Sequence, residues 1–322
     1  ENATKAVAKV TEEGKTAAAA FVNAYSQKLG SVQVTKVFSG LENLPEGFQI
    51  TNSYNDTIFT EGNAASGDGS TENPYTWVIE NVPVGTEVTF TESGYDAEGY
   101  NLTINGKATS EENATKAVAK VTEEGKTAAA AFVNAYSRKV GSVQVTKAFS
   151  GVEGLPEGFQ IKNSFNDTVF TVGNKTSGTG KANDPYTWVI ENVPVGTEVT
   201  FTESGYDAEG YNLTINGKAT SEENATKAVA KVTEEGKTAA AAFVNAYSQK
   251  LGSVQVTKAF SGLDKLPDGF QITNNYNKDV FTVKNAEGKG TADDPYKWTI
   301  KNVPEKTEIT FTESGYEVSG YE

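Results

Sequence analysis

The sequence predicts an all-β protein built from tandem β-sandwich domains. Short runs rich in valine, threonine, isoleucine and aromatic residues alternate with polar residues and are separated by turn signals. The stretch GSVQVTK-[VA]-FSG occurs three times, and its lysines Lys36, Lys147 and Lys258 are 111 residues apart. A period of this length is too long for a solenoid unit and fits an independent sandwich domain.

The repeat divides the chain into two complete and two partial units. The complete units span residues 31–141 and 142–252. A third copy covers residues 253–322 without its last strands, whereas residues 1–30 match those strands. We therefore expect three repeats cut out of phase, in which residues 1–30 are the terminal strands of an otherwise absent repeat. Few residues separate successive units, so neighbouring domains should sit end to end.

Within a complete unit, short strands and turns follow one another. The alanine-rich stretch AAAAFVNAYS is predicted as a strand, because β-branched and aromatic residues continue it and it is too short for a stable helix. Together with the preceding strand it should form a hairpin around the turn EEGK. In the first unit the predicted strands are residues 31–38, 48–52, 57–60, 75–80, 87–92, 100–104, 114–122 and 127–136, with a polar loop at 61–74.

Composition excludes several classes of function. The 322 residues carry a net charge of −14, which argues against nucleic acid or an anionic membrane as a partner. The sequence has no cysteine, histidine or methionine, which excludes disulfides, Cys/His zinc sites and histidine-dependent catalytic triads. No apolar run reaches the length of a membrane-spanning helix. We therefore expect no membrane insertion, no cofactor or metal, and no enzyme that acts on outside substrates.

Each complete unit carries three polar residues on strand faces that also carry aromatic residues. Side chains alternate along a strand, so Lys36 shares its face with Val34 and Phe38. Glu92 and Asn134 occupy similar positions on later strands, although the face opposite Asn134 could be the buried one instead. The corresponding residues elsewhere are Lys147, Glu203 and Asn245 in the second unit, Lys258 and Glu313 in the third, and Asn23 in residues 1–30.

Two interpretations fit this trio. The first is a buried Lys–Glu ion pair with asparagine as a hydrogen-bond partner, which is an ordinary arrangement. The second is chemical: burial lowers the pKa of the lysine and raises that of the glutamate, so a neutral amine attacks the asparagine carboxamide. Loss of ammonia then leaves a Lys–Asn isopeptide bond, with the glutamate moving protons. Periodicity alone favours neither interpretation.

Three motifs in order resemble the collagen-adhesin B-type (Cna B-type) domains, which form stalks of Gram-positive surface adhesins and pilins. They are VTKxFSG in the first strand, WVIENVPVGTEVTFTESGYDAEGY in the middle and FVNAYS at the end. The proline usual before the Gly-Tyr turn is absent, since Asp-Ala-Glu stands before Gly99 and Tyr100, which puts the turn conformation in doubt. The resemblance favours cross-links from Lys36 to Asn134 and from Lys147 to Asn245. The crosslink-promoting acids would be Glu92, Glu203 and Glu313.

The sequence thus predicts tandem immunoglobulin-like domains in a rod, serving as the stalk or fibre of a cell-surface adhesin or pilus-like filament. Its location would be extracellular, with anchoring to the cell wall through parts outside these 322 residues. The self-crosslinking would be a single-turnover reaction. A competing function is a repeated binding module that recognises host matrix or glycan through the variable loops 61–74, 172–185 and 283–295.

Lys258 and Asn23 have no partner for a cross-link within one chain. Either the sequence is a window on a longer repetitive protein, or residues 1–29 complete the third unit of another copy by strand complementation, which would link Lys258 to Asn23. Neighbouring repeats are the other expected partners. We favour the first interpretation, because nothing in the sequence distinguishes these strands from internal ones.

Overall fold

The computed structural model describes residues 4–321. The regular structure in this range consists of strands and three single-turn 3₁₀ helices. The chain divides into two compact units, one up to Lys139 and one from Val140. No helix among residues 4–321 is both long enough and apolar enough to cross a membrane.

The first unit contains one complete repeat of eight strands. Strand alternation gives each long strand a buried face with most of the large apolar side chains and an exposed face with most of the polar ones. The strands are β1 (Leu29–Ser39), β2 (Gln49–Asn52), β3 (Tyr75–Pro83), β4 (Glu87–Ser93), β5 (Tyr100–Ile104), β6 (Lys107–Ala108), β7 (Lys116–Lys120) and β8 (Thr127–Arg138).

These strands form two sheets that face each other across one core. The larger sheet has the order β3-β1-β8-β5-β6, and the smaller has the order β2-β4-β7. The first and last long strands, β1 and β8, are parallel neighbours, whereas the other pairs are antiparallel. Trp77, Phe90 and Phe132 are buried between the sheets. The fold is an immunoglobulin-like β-sandwich, which confirms the predicted fold class.

The second unit begins with another complete repeat of the same design. Its sheets have the orders β12-β9-β17-β14-β15 and β11-β10-β13-β16. Its strands are β9 (Val140–Ser150), β10 (Gln160–Asn163), β11 (Val169–Phe170), β12 (Tyr186–Pro194), β13 (Glu198–Ser204), β14 (Tyr211–Ile215), β15 (Lys218–Ala219), β16 (Lys227–Lys231) and β17 (Thr238–Gln249).

The second unit continues into the shorter third repeat. Two sheets of two and three strands, with the orders β18-β21 and β20-β19-β22, pack around a smaller core. The strands are β18 (Leu251–Lys258), β19 (Gln271–Asn274), β20 (Val280–Phe281), β21 (Tyr296–Pro304) and β22 (Phe311–Ser314).

The predicted hairpin around EEGK is wrong. Both strands exist, and the alanine-rich stretch is the strand β8 as predicted, but they belong to opposite sheets. β7 pairs with β4, and β8 pairs with β1 and β5. The connection crosses the open end of the sandwich, where Gly125 N–H donates to the carbonyl of Leu29 and Val121 N–H donates to that of Thr86. β7 therefore belongs to the smaller sheet, whereas β8 lies between β1 and β5 in the larger one.

Two further differences concern strands that the sequence predicts. Residues 57–60 form only an isolated bridge between Phe59 and Ile50 in the first repeat. Residues 5–28 contain no strand, although their near-identical counterparts in the first repeat form β7 and β8. The assignment of residues 1–30 to a separate repeat stays a prediction, and its residues 1–3 lie outside the described range, as does residue 322 of the third repeat.

Candidate cross-linking site

Lys36 lies on β1, an interior strand of the larger sheet. β1 is hydrogen-bonded to β3 on one side and to β8 on the other, so its backbone is fully paired. The alternation that turns Val34 and Phe38 toward the core turns Lys36 the same way, and its side chain is completely buried. A lysine amine at this position needs a polar partner inside the core.

Glu92 supplies that partner from the opposite sheet. It lies on β4, where it is paired with Ile50 of β2 and is 2% exposed. The Lys36 amine donates to Glu92 Oε1 at 2.7 Å, across the space between the two sheets. The backbone N–H of Glu92 donates to the carbonyl of Thr115, which fixes the strand at this point.

Asn134 reaches the same carboxylate from β8. Its strand runs parallel to β1 in a register that places Asn134 beside Phe38. Asn134 is fully buried, whereas Val133 is 42% exposed, so the asparagine face is the inner face of β8. The Asn134 carboxamide nitrogen donates to Glu92 Oε1, the oxygen that also accepts from Lys36. The amine and the carboxamide therefore meet at one atom.

Two polar atoms of this cluster remain without a hydrogen bond among the described residues. They are Glu92 Oε2 and Asn134 Oδ1. A buried acceptor without a donor is costly, so each such group calls for an explanation. A proton on Glu92 could satisfy one of these two acceptors, and it would turn the carboxyl into a donor.

An aromatic shell surrounds the lysine amine. Lys36 Nζ lies 4.5 Å from the ring centre of Phe38, 5.3 Å from that of Phe48 and 5.9 Å from that of Phe132. Sequence reasoning placed Phe48 at the start of a predicted strand but not in the site, because that strand carries none of the three polar residues. Its signal was the recurrence of phenylalanine after Pro-x-Gly in all three repeats. The shell excludes water from the amine.

Burial shifts the ionisation of this pair toward its neutral form. Loss of water lowers the pKa of the Lys36 amine to about 8, although Glu92 acts in the opposite direction. Burial raises the pKa of Glu92 above its ordinary value, against the effects of Lys36 and Asn134. Burial also raises the pKa of Tyr136 to about 12, and its hydroxyl donates to the carbonyl of Tyr95 at 2.6 Å.

The second repeat reproduces the site atom for atom. The Lys147 amine donates to Glu203 Oε1 at 2.7 Å, and the Asn245 carboxamide donates to the same oxygen. Glu203 Oε2 and Asn245 Oδ1 have no hydrogen bond within residues 4–321. Burial lowers the pKa of Lys147 to about 8 and raises that of Glu203. The arrangement therefore belongs to the repeat and not to one copy.

The third repeat contains half of the site. The Lys258 amine donates to Glu313 Oε1 at 2.6 Å, yet these side chains are 26% and 33% exposed. No asparagine strand lies beside β18 within residues 4–321. Asn23, the third copy of the asparagine, is exposed on the strandless segment of the first unit.

A family model described as a domain of unknown function, DUF5979, matches residues 32–137 and 143–248. These two matches correspond to the two complete repeats and together cover more than half of the chain. No similar sequence was found among curated proteins.

Several solved structures are similar to the chain. The Bacillus anthracis TIE protein is 16% identical with a TM-score of 0.31, and the match covers 98% of this chain and 52% of that chain, about half its length. The major pilin from Streptococcus pyogenes is 15% identical, with a TM-score of 0.26 and coverage of 69% and 99%. An adhesin from Mobiluncus mulieris with intramolecular disulfide, isopeptide and ester cross-links is 15% identical, with a TM-score of 0.26 and coverage of 69% and 100%.

Proposed function

The chain belongs to the DUF5979 family, and we propose that it is a structural stalk or fibre segment of a bacterial surface adhesin or pilus-like filament. Each complete repeat would be locked by an isopeptide bond, from Lys36 to Asn134 and from Lys147 to Asn245. The observation that carries this proposal is the contact of both the lysine amine and the asparagine carboxamide with one buried glutamate oxygen. The location would be outside the cell, at its surface.

The proposed reaction uses the groups that already touch. A proton passes from the Lys36 ammonium to the Glu92 carboxylate, which the opposite pKa shifts of the two groups favour. The neutral amine attacks Cγ of Asn134, and the protonated Glu92 donates to the carboxamide as the C–N bond to its nitrogen breaks. One N–C bond forms, one breaks, and ammonia leaves. The core contributes proximity and excludes water.

A buried ion pair without covalent chemistry explains less of the geometry. An ion pair needs no asparagine, and it would be strongest with both carboxylate oxygens hydrogen-bonded. Here the asparagine and the lysine share one oxygen, while Glu92 Oε2 and Asn134 Oδ1 lack donors among the described residues. These two acceptors are the atoms that must receive or relay a proton during attack on the carboxamide.

The position of the cross-link suits a load-bearing role. β1 is the first strand of the repeat and β8 is the last, and the two lie side by side in parallel. Tension along the chain would pull the two strands in opposite directions and load their nine paired positions in shear. A covalent bond between them would carry that load in place of the hydrogen bonds.

The variable loops have a structural role that fits a spacer better than a binding module. In the first repeat, Trp77 Nε1 donates to the carbonyl of Thr60 and to Asn63 Oδ1 at the start of the loop. Asn174 and Asn285 receive the corresponding tryptophans in the other repeats. The start of each loop therefore binds the core tryptophan of its own repeat, which is a structural role.

The mass of the intact chain tests the proposal. Each bond releases one ammonia, so the two complete repeats should lower the mass by about 34 Da, about 17 Da for each bond. Asn134→Ala should remove the ammonia loss of the first repeat and leave that of the second. A purified, folded chain with the full mass calculated from its sequence would overturn the proposal.

A further inference from the structure

The last strand of each complete repeat carries a buried tyrosine two residues after the asparagine of the site. Tyr136 and Asn134 lie on the inner face of β8, where they are 6% and 0% exposed. Tyr247 and Asn245 have the same exposed fractions on β17. A phenylalanine would fill this space without a polar atom, so the buried hydroxyl calls for an explanation.

The Tyr136 hydroxyl ties the strand of the asparagine to the strand of the glutamate. It donates to the carbonyl of Tyr95 at 2.6 Å. Tyr95 lies two residues after the end of β4, on the connection that crosses from the smaller sheet to β5 of the larger one. Glu92 precedes Tyr95 by three residues, and Asn134 precedes Tyr136 by two. One hydrogen bond thus joins the two sheets close to both members of the site.

The second repeat has the same tie. The Tyr247 hydroxyl donates to the carbonyl of Tyr206 at 2.6 Å. Glu203 precedes Tyr206 by three residues, and Asn245 precedes Tyr247 by two, as in the first repeat. The tie therefore accompanies the buried site in both complete repeats.

The tyrosine hydroxyl also interacts with the carboxamide. Burial raises the pKa of Tyr136 to about 12, and a hydrogen bond with the Asn134 side chain acts in the opposite direction. A carboxamide favours an ionised tyrosine by donating to it, so the nitrogen of Asn134 faces the hydroxyl oxygen. The same nitrogen donates to Glu92 Oε1, whereas Asn134 Oδ1 has no hydrogen bond among the described residues. Two acceptors, one from each side chain, thus face the carboxamide nitrogen.

We propose that Tyr136 and Tyr247 are positioning residues of the cross-linking reaction. Each hydroxyl would hold the asparagine carboxamide in one of its two orientations, with its nitrogen toward the glutamate. In this orientation the protonated glutamate can donate to the nitrogen that leaves as ammonia. The bond to the carbonyl of Tyr95 or Tyr206 would keep the two sheets at the separation that this contact requires. The proposal rests on the proposed function, because it concerns the same reaction.

Removing one hydroxyl tests this role. Tyr136→Phe keeps the ring, and it should slow ammonia loss from the first repeat at least about tenfold, since small displacements of reacting groups are costly. Chains from a short pulse of cell-free synthesis are quenched in denaturant at successive times and weighed by intact mass spectrometry. The unsubstituted chain should lose about 34 Da, whereas Tyr136→Phe should accumulate the species that has lost about 17 Da. Tyr247→Phe should have the same effect through the second repeat.

Two controls separate positioning from a loss of stability. Ile79→Val shortens a buried side chain on β3 and should cost about as much stability as the lost hydrogen bond. Tyr100→Phe removes a hydroxyl from the ring that packs edge-on against Tyr136, with ring centres 6.3 Å apart. Neither control should slow ammonia loss. If Tyr136→Phe is slowed no more than Ile79→Val, the positioning role is overturned.

The NMR signals of the Asn134 carboxamide give a readout that stability alone does not change. Lys36→Met removes the nucleophile, so the carboxamide stays intact, and its two proton signals are identified by their absence in Asn134→Ala. Adding Tyr136→Phe to Lys36→Met should shift one of the two signals, because one hydrogen bond is lost. Adding Ile79→Val should shift neither. If both signals stay in place in the chain with Tyr136→Phe, the contact is absent and the proposal is overturned.

The outcomes distinguish this proposal from the proposed function. An unsubstituted chain that keeps its full mass overturns both. Ammonia loss at the unsubstituted rate in Tyr136→Phe overturns the positioning role alone. Slow loss from the first repeat beside rapid loss from the second supports both. Adding Asn245→Ala to Tyr136→Phe should leave only the slow loss, which assigns it to the first repeat.

Discussion

At the scale of single residues, the site depends on one oxygen atom. Glu92 Oε1 accepts hydrogen bonds from an amine and from a carboxamide that come from neighbouring parallel strands. A lysine in an apolar core is tolerable only with such a partner. Burial lowers the pKa of the Lys36 amine and so increases the fraction of neutral amine that can act as a nucleophile. The same atoms that satisfy the buried charge therefore prepare it for reaction.

Replacing the carboxyl group should stop bond formation in one repeat only. With Glu92→Gln the proton acceptor is lost while the shape of the side chain is kept, so the ammonia loss should fall from about 34 Da to about 17 Da. Intact mass spectrometry measures this directly. Glu87→Gln is the matched control, since Glu87 is exposed on the outer face of the same strand. An unchanged ammonia loss in Glu92→Gln would mean that bond formation does not require the Glu92 carboxyl group.

Stability should depend on pH in a chain that cannot form the bonds. In the variant Asn134→Ala/Asn245→Ala, the lysine pKa of about 8 in the folded state lies below the unfolded value of 10.5. The unfolded chain then binds more protons between pH 8 and 10, so the free energy of unfolding should rise with pH in that window. The gain should be on the order of 3 kcal/mol per repeat at most.

Denaturant unfolding at pH 8 and pH 10 measures this change. Burial raises the pKa of Tyr136 in the folded state from 10.0 to about 12. Above pH 10 this tyrosine loses its proton in the unfolded chain before it does so in the folded one. The free energy of unfolding should therefore fall above pH 10, which sets the upper end of the window. Adding Lys36→Met and Lys147→Met to the variant should flatten the pH dependence. If the free energy of unfolding depends on pH equally with and without the lysines, other groups cause that dependence.

At the scale of strands, alternation in the sequence predicts most of what the structure contains. It predicts the strands, the inward position of Lys36 and Glu92, and a β8 strand in place of an alanine helix. It could not predict which sheet receives β7, because pairing partners depend on free edges elsewhere in the sandwich. It also left open the inner face of β8, since alanines occupy both faces and only packing against β1 decides between Val133 and Asn134.

The glycine of the FSG motif gives an element-scale prediction. Gly40 follows β1 with a φ of +81°, and a Cβ there would lie 2.0 Å from the carbonyl oxygen of Tyr136 on β8. Gly262 is the same motif position with a φ of +73°, but a Cβ there would meet nothing within 4 Å. Gly40→Ala should therefore destabilise its repeat by more than about 2 kcal/mol, and Gly262→Ala by about 1 kcal/mol.

Thermal unfolding followed by limited proteolysis compares these two variants. Both carry the same conformational cost of a positive φ, so the difference between them isolates the contact with β8. Equal loss of stability would mean that the positive φ alone explains why the FSG motif has a glycine at this position.

At the scale of the whole chain, the repeats differ in how they should respond to force. Lys36 and Asn134 are 98 positions apart, so a bond between them would shield the 97 residues that lie between them from extension. The second repeat would behave in the same way, since Lys147 and Asn245 are also 98 residues apart (245 − 147 = 98). In a polypeptide of these 322 residues, the third repeat contains no asparagine strand to bond to Lys258, so it serves as the unbonded reference for the experiment.

Pulling single molecules by their ends should show this contrast. The unsubstituted chain should lengthen by unfolding of the third repeat alone, at low force, because the complete repeats are tied at their first and last strands. Asn134→Ala/Asn245→Ala should add two further unfolding events of about 330 Å each, the contour length of 98 residues at about 3.4 Å per residue. Unfolding of the complete repeats by that length in the unsubstituted chain would contradict both the bond and the load-bearing role. The step in the third repeat, present in both molecules, confirms that a single chain is being pulled.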